Sequence, residues 1–420
     1  MKRCSGSDPA RAESKYWQVV TSFFVTARGE ESAWRRTLRV GVMAYIASRV
    51  LVLIGAGLVA VARTQEQARA GRDRLPTLDH VRATLMSWDG AWYERIVTDG
   101  YPRSVPANVT FYMEEARAAF FPVYPYLSRL IDVVLPGGPS VAMLGVNLVL
   151  GWVAVWACGC LARELWGTEV AAAAMVVVAL FPGSFVFSMA YSEATMLALA
   201  AGALTMMLQH RWAWAAVLGM LATATRPNAV ALVWAGAAMM WVLRTDRTQR
   251  RRAALTAVVI PVGFVLTQWL IGWRANEPGV WFRVQREAWD EGLSFGVATG
   301  RFIVEFLVNP LASPTRALTA ASVVHVAVGI WAMVRTRIHP AVMAYTAGVV
   351  ALMLSPATVT ARPRFVLVAV GVLLAPVAWW VQNPQVLARH RRSVELVVIG
   401  AFSAGLTASM AVYGLEGAIP

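Results

Sequence analysis

Near the start of the chain, one carboxylate is set among indole and phenol rings. The string is Ser87-Trp88-Asp89-Gly90-Ala91-Trp92-Tyr93-Glu94-Arg95-Ile96, closed by Asp99-Gly100-Tyr101-Pro102. Three aromatics, Trp88, Trp92 and Tyr93, fall within six residues around Asp89. Such rings stack on the apolar faces of sugars, and a carboxylate beside them can accept a hydroxyl hydrogen bond or a proton. Two plainer readings compete. The rings could form an aromatic belt at a membrane boundary, and Asp89 could simply cap a short helix. Glu94 and Asp99 are second-line carboxylates, because a helix turns Glu94 off the Asp89 face. Further along, Glu193 follows Tyr191-Ser192 at the start of an apolar stretch. An ionisable group in that position is a candidate site residue, or else an acid at a helix N-terminus. Three arginines flank other apolar stretches: Arg226 in Thr225-Arg226-Pro227-Asn228, and Arg362 and Arg364 in Ala361-Arg362-Pro363-Arg364-Phe365. Arginine at a helix start suits a phosphate, whose oxygens match the guanidinium fork; the alternative is interfacial snorkelling.

The elements that must position these residues are membrane helices. The 420 residues are 58% hydrophobic and only 15% charged, a balance that points to lipid rather than water as solvent. Apolar runs recur at Val40–Ala62, Val141–Ala162, Val170–Phe187, Ala194–Leu208, Trp212–Thr225, Asn228–Leu243, Ala253–Ile271, Ala317–Val334, Ala341–Ser355, Phe365–Val381 and Val394–Val412. The pattern predicts an all-α polytopic integral membrane protein of about eleven spans. Residues 1–39 form a polar N-terminal segment with no secretory signal, and residues 40–420 a single membrane domain. Arg226-Pro227 breaks two short runs, read as a hairpin of half-length helices or one bent helix. Arg49, inside the first run, must face protein or snorkel.

The net charge is +14, nearly all arginine, and it sits in short connections rather than in any nucleic-acid motif. The basic connections 244–252, 335–339 and 382–393 place the N-terminus in the cytoplasm and the long loop 63–140 outside, as do the loops carrying Glu193, Arg226 and Arg364. Arginine with abundant Ala, Val and Gly suggests a GC-rich bacterial genome, hence the bacterial inner membrane. Cys4, Cys158 and Cys160 give no disulfide framework, and the five scattered histidines give no zinc set. No cofactor motif is present, although Asp89 and Glu94 could hold a divalent metal loosely.

Trp88-Asp89-Gly90-x-Trp92-Tyr93-x-x-Ile96, then Gly100-Tyr101, then Phe120-Phe121-Pro122-Val123-Tyr124-Pro125, resembles the PIG-V-type mannosyltransferases. These are relatives of GPI mannosyltransferase II in the glycosyltransferase-C superfamily. Tyr191-Ser192-Glu193 and Thr225-Arg226-Pro227-Asn228 match in order and spacing, and the resemblance covers about residues 40–243. It implies a glycosyltransferase-C-type bundle and a polyprenyl-phosphate sugar donor, with mannose as the sugar. It further implies inverting transfer on the outer face, with Asp89 as general base. On that reading Trp88, Trp92, Tyr93, Glu94, Tyr191 and Glu193 line the substrate site, while Arg226, Arg362 and Arg364 hold the donor phosphate. The acceptor is left open among a lipid-linked glycan, a polysaccharide and a protein. Two other classes compete: a transporter or flippase for a lipid-linked sugar, and a non-catalytic assembly partner. A transporter predicts repeat symmetry and midplane charges, neither of which stands out.

Overall fold

The computed structural model describes residues 9–73, 75–289, 292, 294–308, 314–355 and 363–415, and among these every regular element is helical. Helix α1 (Pro9–Arg69) leads into a long connection. That connection carries α2 (Thr77–Leu85), α3 (Asp89–Asp99), a 3-10 turn at Glu114–Ala119 and α4 (Val123–Asp132). Next come α5 (Pro139–Trp166) and α6 (Thr168–Leu180), then a 3-10 segment, Pro182–Ser188. Helices α7 (Glu193–Leu208) and α8 (Trp212–Thr223) precede a second 3-10 segment, Pro227–Ala231, that runs into α9 (Leu232–Val242). The chain continues through α10 (Arg247–Val259), α11 (Val262–Arg274), α12 (Val280–Trp289) and α13 (Val297–Val308). It closes with α14 (Pro314–Arg335), α15 (Pro340–Leu354), α16 (Pro363–Val366), α17 (Val370–Gln382) and α18 (Arg391–Leu415).

Each of the eleven apolar runs is helical, but they are not alike in reach. Among the described residues four helices are long and apolar enough to cross a membrane: the Glu31–Arg69 part of α1, α5, α10 with α11, and α18. Helix α6 with Pro182–Ser188, taken as one span bent by 73°, is a fifth. Five other apolar helices, α7, α8, Pro227–Val242, α15 and α17, have 10–17 residues, and α14 has 22. At 1.5 Å rise per residue those five fall short of a hydrocarbon core of about 30 Å. The expected bundle of about eleven spans is thus present as apolar helical segments, and the half-length pair expected at Arg226-Pro227 is α8 with Pro227–Val242. Hydropathy joins across the breaks at Pro182 and ahead of α17, where the helices stop. Helix α1 also extends past the first run through Arg63 to Arg69, so the long connection begins later than the change in polarity suggests.

The core lies where α5, α6, α7 and α17 meet, and it is rich in alanine: Ala154, Ala171, Ala174, Ala200, Ala201 and Ala203 are fully buried. Small residues let helix backbones approach closely, which matters in lipid because apolar burial alone does not drive helices together. Gly263 marks the tightest approach, since a Cβ there would lie 1.9 Å from the Met220 carbonyl oxygen.

The bend after α6 is held by Arg49, which faces protein and is buried. Its guanidinium donates to the Ser184 carbonyl (2.8 Å), the Ser184 and Ser188 hydroxyls (3.0 Å each) and the Ala179 carbonyl (3.4 Å), and lies over the Tyr45 and Phe187 rings. A cation at the last turn of α6 also meets the negative end of the helix dipole. Replacing it strands several buried acceptors. Arg49→Met is expected to cost roughly 2–4 kcal/mol, read as a lower thermal midpoint of the detergent-solubilised protein. An unchanged midpoint would remove Arg49 as the pin of this bend.

Candidate active site

Three pieces of chain, distant in sequence, converge at the start of α3. The first is the α2–α3 corner. Asp89 is the first residue of α3, and Trp88 ahead of it has φ 60° and ψ −118°. A tryptophan pays about 1–3 kcal/mol for that left-handed backbone, so the corner persists only because its surroundings fix it. Gly90 permits the close packing: a Cβ there would lie 3.2 Å from the Cβ of Ala190. The second piece is the connection from Pro182–Ser188 into α7. The Ala190 amide donates to the Leu85 carbonyl at 3.0 Å, and the Asn147 side chain donates to the Val186 and Met189 carbonyls. The third is the short helix α16 with Arg364.

Together they bury a line of alternating charges. Arg364 Nη1 donates to Asp89 Oδ2 at 2.9 Å and lies 3.8 Å from Glu193 Oε1. The other Glu193 oxygen, Oε2, is 3.0 Å from Arg226 Nη1. Arg226 Nη1 also donates to Ser192 Oγ at 3.1 Å, and that hydroxyl is 2.7 Å from the Tyr93 hydroxyl. The Glu193 side chain is 1% exposed, Arg364 12%, Arg226 14% and Asp89 19%, so the carboxylate in the Trp-Asp-Gly string is the most accessible of the four. Both guanidinium groups lie over the Phe365 ring, and Arg364 over Tyr191 as well. Two carboxylates and two guanidinium groups sum to zero, and so the cluster can be buried at all.

A hydroxyl relay fixes Asp89 from behind. The Tyr191 hydroxyl accepts from the Asp89 amide at 3.3 Å and contacts the Tyr413 hydroxyl of α18. Burial above all pushes the Tyr93 and Tyr191 phenols well above their ordinary range, which keeps both as neutral hydrogen-bonding groups. On the other side, aromatic rings pack edge to face. Trp92 meets Phe111 (centroids 5.6 Å apart), Tyr93 meets Phe120 and Tyr124 (5.1 Å each), and Phe111 meets Trp289 of α12 (5.5 Å). Helix α12 is seated on the long connection: Trp281 donates to the Ala119 carbonyl, and Arg283 to the Val105 and Pro106 carbonyls.

The structure thus brings together Asp89, Tyr93, Tyr191, Glu193, Arg226 and Arg364. Trp88 is half-buried at the corner, and Trp92 is buried in the ring cluster rather than presented on a surface. Glu94 belongs elsewhere: it accepts from Ser140 Oγ at 2.6 Å, and Ser140 in turn accepts from Arg82. Asp89 and Glu94 therefore do not form a pair that could share a metal. Arg362 lies outside the described residues. Asp89 does not cap α3, because its carboxylate is turned to Arg364. Arg226 and Arg364, expected to hold a phosphate or to snorkel, are each held by a carboxylate. Arg283 on α12 is ion-paired with Glu277 and Glu287. Sequence reading missed Ser192 as a bridge, although it stands inside the Tyr-Ser-Glu string. It also missed Tyr413, a lone tyrosine near the end of the last apolar run that carries no local signal. Among the described residues no three His, Cys, Asp or Glu side chains come together to hold a metal.

No family model matches the chain and no curated protein matches it. Among solved structures it is similar to ArnT from Cupriavidus metallidurans bound to undecaprenyl phosphate. That likeness has 16% identity and a TM-score of 0.49, over 77% of this chain and 71% of that one. It is also similar to the oligosaccharyltransferase AglB from Archaeoglobus fulgidus in complex with an inhibitory peptide and a dolichol-phosphate. Here identity is 12% and the TM-score 0.43, over 79% of this chain and 51% of that one. None of these values assigns the chain to a family.

Breaking the charge line at its centre should be costly. Glu193→Gln leaves Arg226 without its buried partner and is expected to lower stability by about 3–5 kcal/mol, measured as a thermal midpoint in detergent. Glu193→Gln with Arg226→Met should recover a large part of that loss, because the orphaned charge leaves with its partner. Additive losses in the double variant would show that the two residues do not act as a pair.

Proposed function

We propose that the protein is a membrane-embedded glycosyltransferase that moves a sugar from a polyprenyl-phosphate donor to an acceptor hydroxyl on the extracytoplasmic face. The observation that carries this reading is the Asp89 carboxylate, the most accessible of the charge cluster, held at a strained corner against a buried guanidinium and beside the half-buried Trp88. It supplies, in one place, a proton acceptor, a cation for a phosphate and apolar surfaces for a sugar. The Trp88-Asp89-Gly90 string and its companions, resembling the PIG-V-type mannosyltransferases, support mannose as the transferred sugar.

In this mechanism the acceptor hydroxyl attacks the anomeric carbon from the face opposite the phosphate, which inverts the configuration. Asp89 takes the hydroxyl proton as the new C–O bond forms. The C–O bond to phosphate breaks, and its electron pair leaves on the phosphate oxygen. Arg364 is the cation nearest Asp89 and would meet the phosphate, while Arg226, held by Glu193 and Ser192, supports it from behind. The Tyr191 hydroxyl on the Asp89 amide keeps the base in register. A donor that is itself a lipid can enter between helices, which accords with short, broken helices around the site.

The test uses membranes incubated with radiolabelled polyprenyl-phosphate mannose. The wild-type chain is expected to transfer label to an endogenous acceptor. Asp89→Asn, nearly isosteric but unable to act as base, should reduce transfer by about 10²-fold or more with expression retained. Transfer at the wild-type rate in Asp89→Asn would overturn the base assignment.

A further inference from the structure

The ion pair between Asp89 and Arg364 creates a conflict of roles. A general base needs its lone pairs for the incoming proton, and a phosphate-binding arginine needs its hydrogens for the phosphate. Here the same two groups are spent on each other at 2.9 Å, in a buried cluster already neutral as a whole. A polyprenyl-phosphate sugar is a phosphodiester with one negative charge. Bringing it beside Arg364 while Asp89 stays bonded would add an uncompensated anion to a site of low dielectric, which is strongly disfavoured. Glu193 cannot give way instead. It is 1% exposed and ion-paired with Arg226 at 3.0 Å, whereas Asp89 is the outermost and most accessible member.

Resting on the glycosyltransferase reading, we propose that Arg364 is a shared counterion. It holds the Asp89 carboxylate until the donor phosphate displaces it, so donor binding itself releases the base. The guanidinium has a donor to spare for the exchange, because among the described residues Arg364 Nε is buried without a hydrogen-bond acceptor. Tyr191 fixes the Asp89 backbone by its amide, so displacement moves the side chain and not the corner.

The charge balance of the reaction fits the same exchange. Before transfer, the carboxylate and the phosphodiester carry one negative charge each. The acceptor proton passes to the carboxylate, the glycosyl C–O bond to phosphate breaks, and the new C–O bond to the acceptor forms. Afterwards Asp89 is a neutral acid and the product phosphate monoester carries both charges. The total near Arg364 is unchanged, and the guanidinium ends on the group that needs it. Regaining the starting state then requires Asp89 to lose its proton. The carboxylate can next take Arg364 back and help to expel the polyprenyl phosphate.

The idea makes an unusual demand: removing the base should improve phosphate binding. The probe is farnesyl phosphate, titrated against the purified full-length protein in detergent, with farnesol as the uncharged control. If the ion pair is favoured about tenfold over the open state, Asp89→Asn should tighten farnesyl phosphate about tenfold. It should leave farnesol unchanged. In an Arg364→Gln background the Asp89 substitution should have no effect, because nothing remains to compete for. Arg364→Met, an apolar chain of similar length, serves in that role where Arg364→Gln does not fold. Equal or weaker farnesyl phosphate binding by Asp89→Asn would overturn the proposal. So would tightening that persists without Arg364, which would mark through-space repulsion instead. Failure here is separable from failure of the base assignment. Asp89→Asn inactive in transfer but unchanged in farnesyl phosphate affinity leaves the base and removes the exchange. Asp89→Asn active in transfer removes the base whatever the affinity.

Discussion

Four charges that cannot be buried singly are buried together. Asp89, Arg364, Glu193 and Arg226 alternate in sign along a line, with Glu193 at the centre and sealed from solvent. Each charge needs a neighbour of the other sign, and the neighbours come from the first long connection, the start of α7, the break before α9 and the short helix α16. The cluster therefore ties together regions that share no local contacts in sequence. It also sets the tolerance of the site, because any group that enters with a charge must displace one already there.

Arg49 makes an instructive contrast. It is as buried as the site arginines, yet its partners are carbonyls, hydroxyls and rings rather than a carboxylate. A cation so arranged is already satisfied in one geometry, and it holds the bend between α6 and Pro182–Ser188. That bend delivers Tyr191, Ser192 and Glu193 to the cluster. The two kinds of buried arginine thus differ in partners: Arg49 fixes backbone, while Arg226 and Arg364 are paired with carboxylates.

The aromatic rings around Asp89 are more structural than their exposure in sequence suggests. Trp92 and Tyr93 are buried, and the edge-to-face chain through Phe111, Phe120 and Trp289 fastens α12 to the long connection. This packing offsets the backbone strain at Trp88, since the corner is gripped from both sides. Trp88 itself stays half-buried, next to the carboxylate.

Composition and hydropathy alone are enough to name the solvent and the secondary structure. Hydropathy depends only on composition within a window, so all eleven apolar runs were legible and each is helical, three of them as two pieces. It also marked Asp89, Tyr191, Glu193, Arg226 and Arg364, because ionisable and aromatic residues beside apolar runs are costly and stand out. Which of them meet follows from the packing of distant helices. Hydropathy averages over the breaks at Pro182 and ahead of α17, where the backbone leaves the helix. The pairing of Arg364 with Asp89, 275 residues apart, follows from long-range packing that no local pattern encodes. The same holds for Tyr413 behind Tyr191, and for Glu94 turning away to Ser140. Residues expected singly, as phosphate-binding arginines and a base, form one cluster of paired charges, because burial forces opposite charges to find each other.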